Sequence, residues 1–582
     1  MDKKGVVETL DEIGTLLELT GENPFRSRAY HNGAKVIEGL TEDLQRLVMQ
    51  GSLTSINGIG QGLADTITEL MQTGKTQMHE DLRAKVPSGV LEMLRIQGLG
   101  PRKIKTLYEK LHIQSIAELR EACEKQRLRS LDGFGSKTEE NILKNISQLE
   151  RTSDKHLYPQ AFESAEKIVA MLKQLKGVQQ CDYAGSLRRR KEIIGDIDIL
   201  ISAPEKARKF IHSAFTNHED VGSIVASGDT KSTVILKNGI QCDLRIVSEA
   251  EYPFTLNYFT GSKEHNVELR SLARKQGLSL NEYGFTRIEG FKSAKEKKII
   301  PSCDSEEEIY KTLGLHYIPP ELRENMGEIE FAQKHAVPKL IELNDLRGTF
   351  HCHTTDSDGL NSLEQMTTAA QNLGWQYLGF ADHSQIASYA GGMSPAKARD
   401  QMKRIERFNE QNKNFRIFKG VECDILSDGS MDYNDSLLSE FDYVVASIHS
   451  KFKMTEVEAT KRIIKALKNK YVTLLGHPTG RLLLQREGYP VNMPEIITAA
   501  SDYGKAMEIN AHPMRLDLDW RYVKLAKDKG VPIFINPDAH NINGLQEVQY
   551  GIGVARKGWL EPKDVINTWT MKQVLQYLRM KK

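Results

Sequence analysis

The stretch Ala184-Gly185-Ser186-Leu187-Arg188-Arg189-Arg190-Lys191, followed by Gly195-Asp196-Ile197-Asp198-Ile199-Leu200, decides the reading of the chain's first half. On an extended strand, residues i and i+2 face the same side. Asp196 and Asp198 therefore converge, while Ile197 and Ile199 turn to a core. Two adjacent carboxylates repel unless a cation lies between them, and an oxygen-rich pair of this kind suits Mg²⁺ completed by substrate phosphates. A third acid in an apolar setting, Asp243 in Gln241-Cys242-Asp243-Leu244-Arg245, can complete the site from a neighbouring strand. Two metal ions held this way can activate a hydroxyl and stabilise a leaving pyrophosphate. Gly185 and Ser186, at a strand-to-helix turn, can cradle a triphosphate with Arg189 as counter-charge.

Upstream of this stretch the first 150 residues read as helical. One pattern recurs three times, as Ile56-Asn57-Gly58-Ile59-Gly60, Ile96-Gln97-Gly98-Leu99-Gly100 and Leu131-Asp132-Gly133-Phe134-Gly135. Glycines at those places permit a tight hairpin and close approach by another backbone. The helix that follows offers unpaired N–H groups and the positive end of its dipole, which together suit a phosphate. Gly58, Gly60, Gly98, Gly100, Gly133 and Gly135 are thus candidates for DNA-backbone contact. The repeat resembles the helix-hairpin-helix motif, which grips DNA without reading its sequence.

Downstream, seven β-like runs alternate with helical stretches, and each ends in a metal-ligand type of residue. Residues 346–350 lead to His351 and His353, 377–381 to Asp382 and His383, 416–421 to Glu422, and 443–448 to His449. Residues 472–476 lead to His477, 506–511 to His512, and 532–537 to Asp538 and His540. Asp358 follows the first run on a loop. Polar residues confined to strand C-termini describe a barrel with one functional face. So many histidines with Asp and Glu, and no cysteine ligand, suit Zn²⁺ or Mn²⁺ better than Mg²⁺. They are too many for one ion, so two or three are implied, and such a cluster hydrolyses phosphoesters. His512, Arg481 and Arg515 are assigned either a phosphate contact or a plain structural role.

Composition sets the limits. At 582 residues the chain exceeds a single core, and its 27% charged and 39% hydrophobic content is that of ordinary globular protein. The net charge of +1 carries no nucleic-acid signature, so any DNA site must be local. Six scattered cysteines without a CxxC pair argue against a disulfide framework and for a reducing, cytoplasmic setting. Residues 1–19 read as an amphipathic helix, not a signal peptide, and no run approaches a membrane span.

The segment Gly185-Ser186-Leu187-Arg188-Arg189 with Gly195-Asp196-Ile197-Asp198 resembles the signature of family X DNA polymerases, the class of DNA polymerase beta. Tyr258-Phe259-Thr260-Gly261-Ser262 matches a second feature of that family, a turn lying against the nucleotide sugar. The resemblance implies that Asn266 and Arg270, on the next helix, face the nascent base pair. The set His351-x-His353, Asp358, His383, Glu422, His449, His477, Asp538-x-His540 is similar to that of the polymerase-and-histidinol-phosphatase (PHP) domain, a distorted (β/α)₇ barrel with a trinuclear metal site. The order of the parts matches bacterial family X polymerases.

The resemblance gives a multidomain organisation. It comprises a helical DNA-binding domain with the first hairpin (1–85), a fingers-like helical domain with the other hairpins (86–152), an α+β nucleotidyltransferase palm (153–250), a thumb (251–320), a linker (321–345) and the PHP domain (346–582). The implied function is gap filling in base-excision repair, with a 3′→5′ exonuclease and also 3′-phosphatase or abasic-endonuclease chemistry from the barrel. Expected cofactors are two Mg²⁺ or Mn²⁺ ions in the palm and two to three Mn²⁺ or Zn²⁺ ions in the barrel. Expected partners are gapped or nicked DNA with a 5′-phosphate and deoxynucleoside triphosphates, bound by a monomer without a membrane. Arg26, Arg28 and Lys35 are candidates for the 5′-phosphate. One departure stands out: the lysine that forms a Schiff base with abasic sugar phosphate in this family aligns with Thr66. A hydroxyl cannot form an imine.

Overall fold

A computed structural model describes every residue except Thr41, Gln97, 289–301 and 581–582. Gln97 of the second hairpin and 289–301 of the expected thumb lie outside the described residues. The chain divides into two compact units, Met1–Ser153 with Leu360–Ser362, and Asp154–Gly359 with Leu363–Lys582.

The first unit is helical, around a core that includes Leu10, Ile13, Ile37, Ile67, Met93, Leu107 and Leu119. Each of the three glycine hairpins precedes a helix: Gln61–Thr73, Pro101–Leu111 and Ser136–Thr152. Gly58, Gly98 and Gly133 have φ of 93°, 83° and 82°, so the hairpin itself demands glycine there. Gly60, Gly100 and Gly135 are the N-caps, and none of the three helices has a side-chain cap. The free N–H groups of their first turns are left for another acceptor, Pro101 having none.

In the second unit, a five-stranded sheet carries the acidic strand Asp196–Ser202 second from one side, beside the central strand Gln241–Val247. Ile197 and Ile199 are buried and Asp196 is exposed, as the alternation requires. Seven parallel strands in sequential order, from Gly348–Thr349 to Ile533–Asn536, form the C-terminal barrel. Its seam closes where His353 N–H donates to the Ala539 carbonyl at 2.8 Å, with Cys352 bridging Ala539 in parallel. Phe350, Tyr377, Phe418, Tyr443 and Phe534 pack together within it. All six cysteines are buried and free.

The expected linker 321–345 is corrected by the structure. It holds the turns Pro320–Leu322 and Leu343–Asp345 and the helix Glu328–Gln333, and it buries Leu322, Ile329, Ala332 and Leu340 in a core shared with Leu269 and Ile309. A polar composition without strand patterns suggested a linker, but its charged residues find partners inside the fold. Arg323 is fully buried and its Nη1 donates to Glu306 at 2.6 Å, while Glu328 accepts from His265 at 2.7 Å. A buried charge left without its partner would cost several kcal/mol, so such pairing is what lets a polar segment pack.

Candidate active sites

The strand Asp196–Ser202 runs parallel to Gln241–Val247, with Asp198 directly opposite Asp243 and Asp196 opposite Gln241. Neighbouring strands are only about 4.8 Å apart, so three carboxylates crowd one edge of the sheet. Burial, then Asp196 and Asp243, pushes Asp198 up to about 7, and burial and Asp243 raise Asp196 as well. Lys231 Nζ answers part of this charge, 2.7 Å from Asp243 Oδ2. The remaining anionic excess is the environment a divalent cation requires, so the donor set fits Mg²⁺ or Mn²⁺.

Gly185 opens the short helix Gly185–Arg188 at φ 63°, and a Cβ there would lie 2.5 Å from Asp198 Oδ2. Glycine is therefore imposed both by the backbone and by the acid it abuts. Ser186 follows it, half-buried, at the mouth of the turn. A cavity of about 100 Å³ is lined by Ala184, Asp198, Lys231, Asp243, Arg245 and Phe259 among others. Tyr258 and Phe259 meet edge to face at 5.3 Å, and the Arg245 guanidinium stands 4.4 Å above the Phe259 ring. Asn266 Nδ2 donates to the Tyr258 carbonyl at 2.7 Å, fixing this turn, and Arg270 Nε donates to the Asn266 carbonyl at 3.2 Å. Gly261 closes the turn at φ 65°, while Gly195 sits beside Lys155 just before the acidic strand.

Arg189 is less free than its sequence context suggests. It donates to the Thr260 carbonyl at 2.5 Å and to Glu324 Oε1 at 3.0 Å. Glu324 comes from the segment expected to be a linker, and it also accepts from Lys557 at 2.7 Å. Lys557, on the barrel helix Val548–Lys557, is buried and donates in addition to the Arg189 carbonyl at 3.0 Å. Arg556 likewise reaches Glu321 at 2.7 Å, and Glu192 accepts from Trp520 and Arg521, both at 3.1 Å. The barrel thus braces the glycine-arginine turn of the nucleotidyltransferase half. Motif spacing gave no hint of this brace, because it joins residues more than 200 positions apart.

In the barrel, eight of the nine expected ligands stand at the C-terminal ends of strands, and Asp358 lies on the loop after the first strand. Among the described residues, potential donor atoms form three overlapping groups, each within 4.8 Å: His353, Asp358, His383 and His540; His351, His353 and Asp538; His383, Glu422 and His449. Glu422 is the hub, 3.4 Å from His351 Nε2, 3.1 Å from His383 Nδ1, 3.2 Å from His449 Nε2 and 2.9 Å from His477 Nε2. Burial alone would raise its pKa, but His449, His351 and His383 together hold it well below the carboxylate range. His351 Nε2, His353 Nδ1 and His383 Nδ1 are buried without a hydrogen-bond donor or acceptor partner. Orphaned imidazole nitrogens aimed at shared carboxylates fit a multinuclear metal site.

The partners that orient these ligands were missed in the sequence. Glu508 accepts from His351 Nδ1 at 2.7 Å, from the His477 N–H at 2.7 Å and from Asn536 at 2.9 Å. Asp424 lies 3.2 Å from His449 Nδ1. Such contacts fix the tautomer and direction of a ligating histidine. A carboxylate inside the apolar strand Ala506–Asn510 was the available signal. Asp382 faces away, accepting from Thr354, Ser357 and Gln401. Arg481 serves the fold, donating to the Arg515 and Leu516 carbonyls and to Asp519. His512 is half-buried, its Nδ1 accepting from the Met514 N–H at 3.2 Å.

Comparison with known proteins follows the same division. Family models match a helix-hairpin-helix domain at residues 1–76, a SAM-like helix-hairpin-helix tandem at 90–147, the DNA polymerase beta thumb at 255–324 and the PHP domain at 349–512. The chain is 38% identical over 581 residues to a DNA polymerase/3′-5′ exonuclease, PolX, of Bacillus subtilis (strain 168), covering 100% of both chains. Over 40% of its length it is 28% identical to a probable phosphatase of Thermoanaerobacter sp. (strain X514), covering 94% of that protein. Fold, ligand geometry and full-length identity agree, and the chain belongs to the bacterial family X DNA polymerases that carry a C-terminal PHP domain.

Proposed function

We propose that the chain fills short gaps in DNA during base-excision repair and shortens DNA 3′ ends with its barrel. The observation that carries the polymerase half is the in-register pairing of Asp198 with Asp243 beside Gly185, which builds a three-carboxylate site against an open cavity. Two Mg²⁺ or Mn²⁺ ions bound there would activate the primer hydroxyl and steady the departing pyrophosphate. Asp196, Asp198 and Asp243 hold them. Ser186 meets the triphosphate, Arg189 stiffens its turn through Thr260 and Glu324, and Tyr258, Phe259, Gly261, Asn266 and Arg270 line the sugar and base. The uncapped helices behind Gly60, Gly100 and Gly135 take backbone phosphates. The protein acts as a monomer in the cytoplasm.

In the barrel, His351, His353, Asp358, His383, Glu422, His449, His477, Asp538 and His540 would hold two to three Mn²⁺ or Zn²⁺ ions, which supply an activated water and clamp phosphate oxygens. A 3′-phosphate or an abasic site is a second substrate class, favoured by the likeness of this region to a probable phosphatase.

Steady-state kinetics on a one-nucleotide gap tests the repair role. A downstream 5′-phosphate should lower KM for the gap by roughly tenfold or more, the worth of one or two charge-assisted hydrogen bonds. Equal KM with a 5′-hydroxyl would remove gap recognition from this account.

The first hairpin helix also bears on a neighbouring activity. Thr66 is 8% exposed, and its hydroxyl bonds to Tyr30 Oη at 3.1 Å and the Gly62 carbonyl at 2.9 Å. Borohydride reduction of the wild type on abasic sugar phosphate should trap no crosslink, and Thr66→Lys should gain one. Strong trapping by the wild type would show that another lysine serves as nucleophile.

A further inference from the structure

Around the barrel's metal-binding cluster most side chains are buried, yet one aromatic residue at its rim is not. Tyr389 is 69% exposed, although its ring centroid lies 6.1 Å from that of His383 and 6.4 Å from that of His449. Ile386, in the same loop, is 54% exposed. Slackness does not explain this. Ser384 and Met393 bridge the base of the loop, Tyr433 Oη donates to the Met393 carbonyl, and the Ile386 N–H donates to Asp432 at 2.9 Å. A braced loop therefore holds an apolar surface in water, at the mouth of a site whose ligands are charged. Leaving a large ring exposed forgoes its burial energy, and it is common where a ring awaits a partner.

Arg515 stands on the same rim. Its Nε is 3.4 Å from Asp538 Oδ2, its side chain is 19% exposed, and it is near enough for its charge to act on the Tyr389 phenol. An aromatic face beside a guanidinium, both next to phosphate-cleaving metals, matches one nucleotide: a base to stack and a phosphate to pair.

We infer that Tyr389 and Arg515 form a nucleotide subsite at the mouth of the barrel, Tyr389 stacking on the 3′-terminal base and Arg515 pairing with the adjoining backbone phosphate. The inference rests on the reading of the barrel as a DNA 3′-end hydrolase, and it specifies the substrate as a base-bearing, unpaired end. A small phosphomonoester without a ring would gain nothing from Tyr389.

Two labelled single-stranded oligonucleotides test this with the full-length, metal-loaded protein. One ends in an ordinary nucleotide, the other in a base-free tetrahydrofuran nucleotide, and kcat and KM are measured on each. Tyr389→Ala should shrink the preference for the base-bearing end by about five- to a hundredfold, mostly through KM. Tyr389→Phe should restore that preference, because stacking needs the ring and not the hydroxyl. Arg515→Gln should raise KM for both oligonucleotides, since both carry the phosphate, with metal content checked by elemental analysis.

An unchanged preference in Tyr389→Ala overturns the stacking role, and so does a Phe variant as poor as the Ala variant. Unchanged KM in Arg515→Gln overturns the phosphate role. If the wild type shortens neither oligonucleotide, the 3′-end reading of the barrel falls and the subsite falls with it. If the wild type shortens both equally well, only the subsite falls.

Discussion

Replacing Asp196 and Asp198 together by alanine abolishes primer extension, by about 10³-fold or more, and leaves primer shortening intact. The expectation comes from where these carboxylates stand. They share one face of their strand, with Asp243 opposite on the central strand, and burial together with their mutual crowding lifts Asp198 to about 7. Cations placed there stabilise the transition state by several kcal/mol, and 1.36 kcal/mol is worth a factor of ten in rate. Removing two of three ligands forfeits that stabilisation. Stability should not suffer, because the substitution relieves repulsion and Asp196 is exposed. A melting temperature that holds or rises, together with lost extension, separates catalysis from misfolding. A variant that still extends primers at a tenth of the wild-type rate would place the catalytic acids elsewhere.

His351→Ala with His353→Ala should have the opposite effect, ending primer shortening by a comparable factor and sparing extension. His353 belongs to two of the three donor groups and His351 to one of those two, so only the group of His383, Glu422 and His449 survives intact. Elemental analysis should show the metal content of the purified protein falling to that of one site. The cost to stability is larger here. His351 is fully buried between Glu508 and Glu422, and both carboxylates lose a partner. Circular dichroism should still report a folded barrel, because the strand ladder and the aromatic core do not depend on the ligands. Undiminished shortening would move the nuclease out of the barrel and turn its substrate toward small phosphoesters.

Sequence legibility followed chemistry. Asp196, Asp198 and Asp243 could be read because period-two alternation and an apolar setting leave an acid few other uses, and the strands pair as that reading requires. The barrel's cluster of histidines and acids could be read because such a residue after every strand has no plain structural explanation, and the fold brings their donor atoms together. The three glycine hairpins were legible for the same reason, since repetition singles them out. What escaped was long-range and electrostatic. Residues 321–345 read as a linker because they are polar and lack strand patterns, whereas Arg323, Glu324 and Glu328 find their counter-charges inside. Arg189 looked like a free phosphate ligand until Glu324 and Lys557 were brought against it by the fold. Glu508 was passed over because one carboxylate in an apolar strand carries no spacing signal, although its place behind His351 gives it a clear task.

Two independent active sites on one chain is the central claim, and one crossed assay tests it most directly. A labelled primer on a one-nucleotide gap with a 5′-phosphate is incubated with Mg²⁺ or Mn²⁺, with and without nucleotides. Wild type is run beside Asp196→Ala/Asp198→Ala and His351→Ala/His353→Ala. The account predicts that the first variant loses only extension and the second only shortening. Loss of both activities in either variant, or survival of shortening in the second, would contradict it.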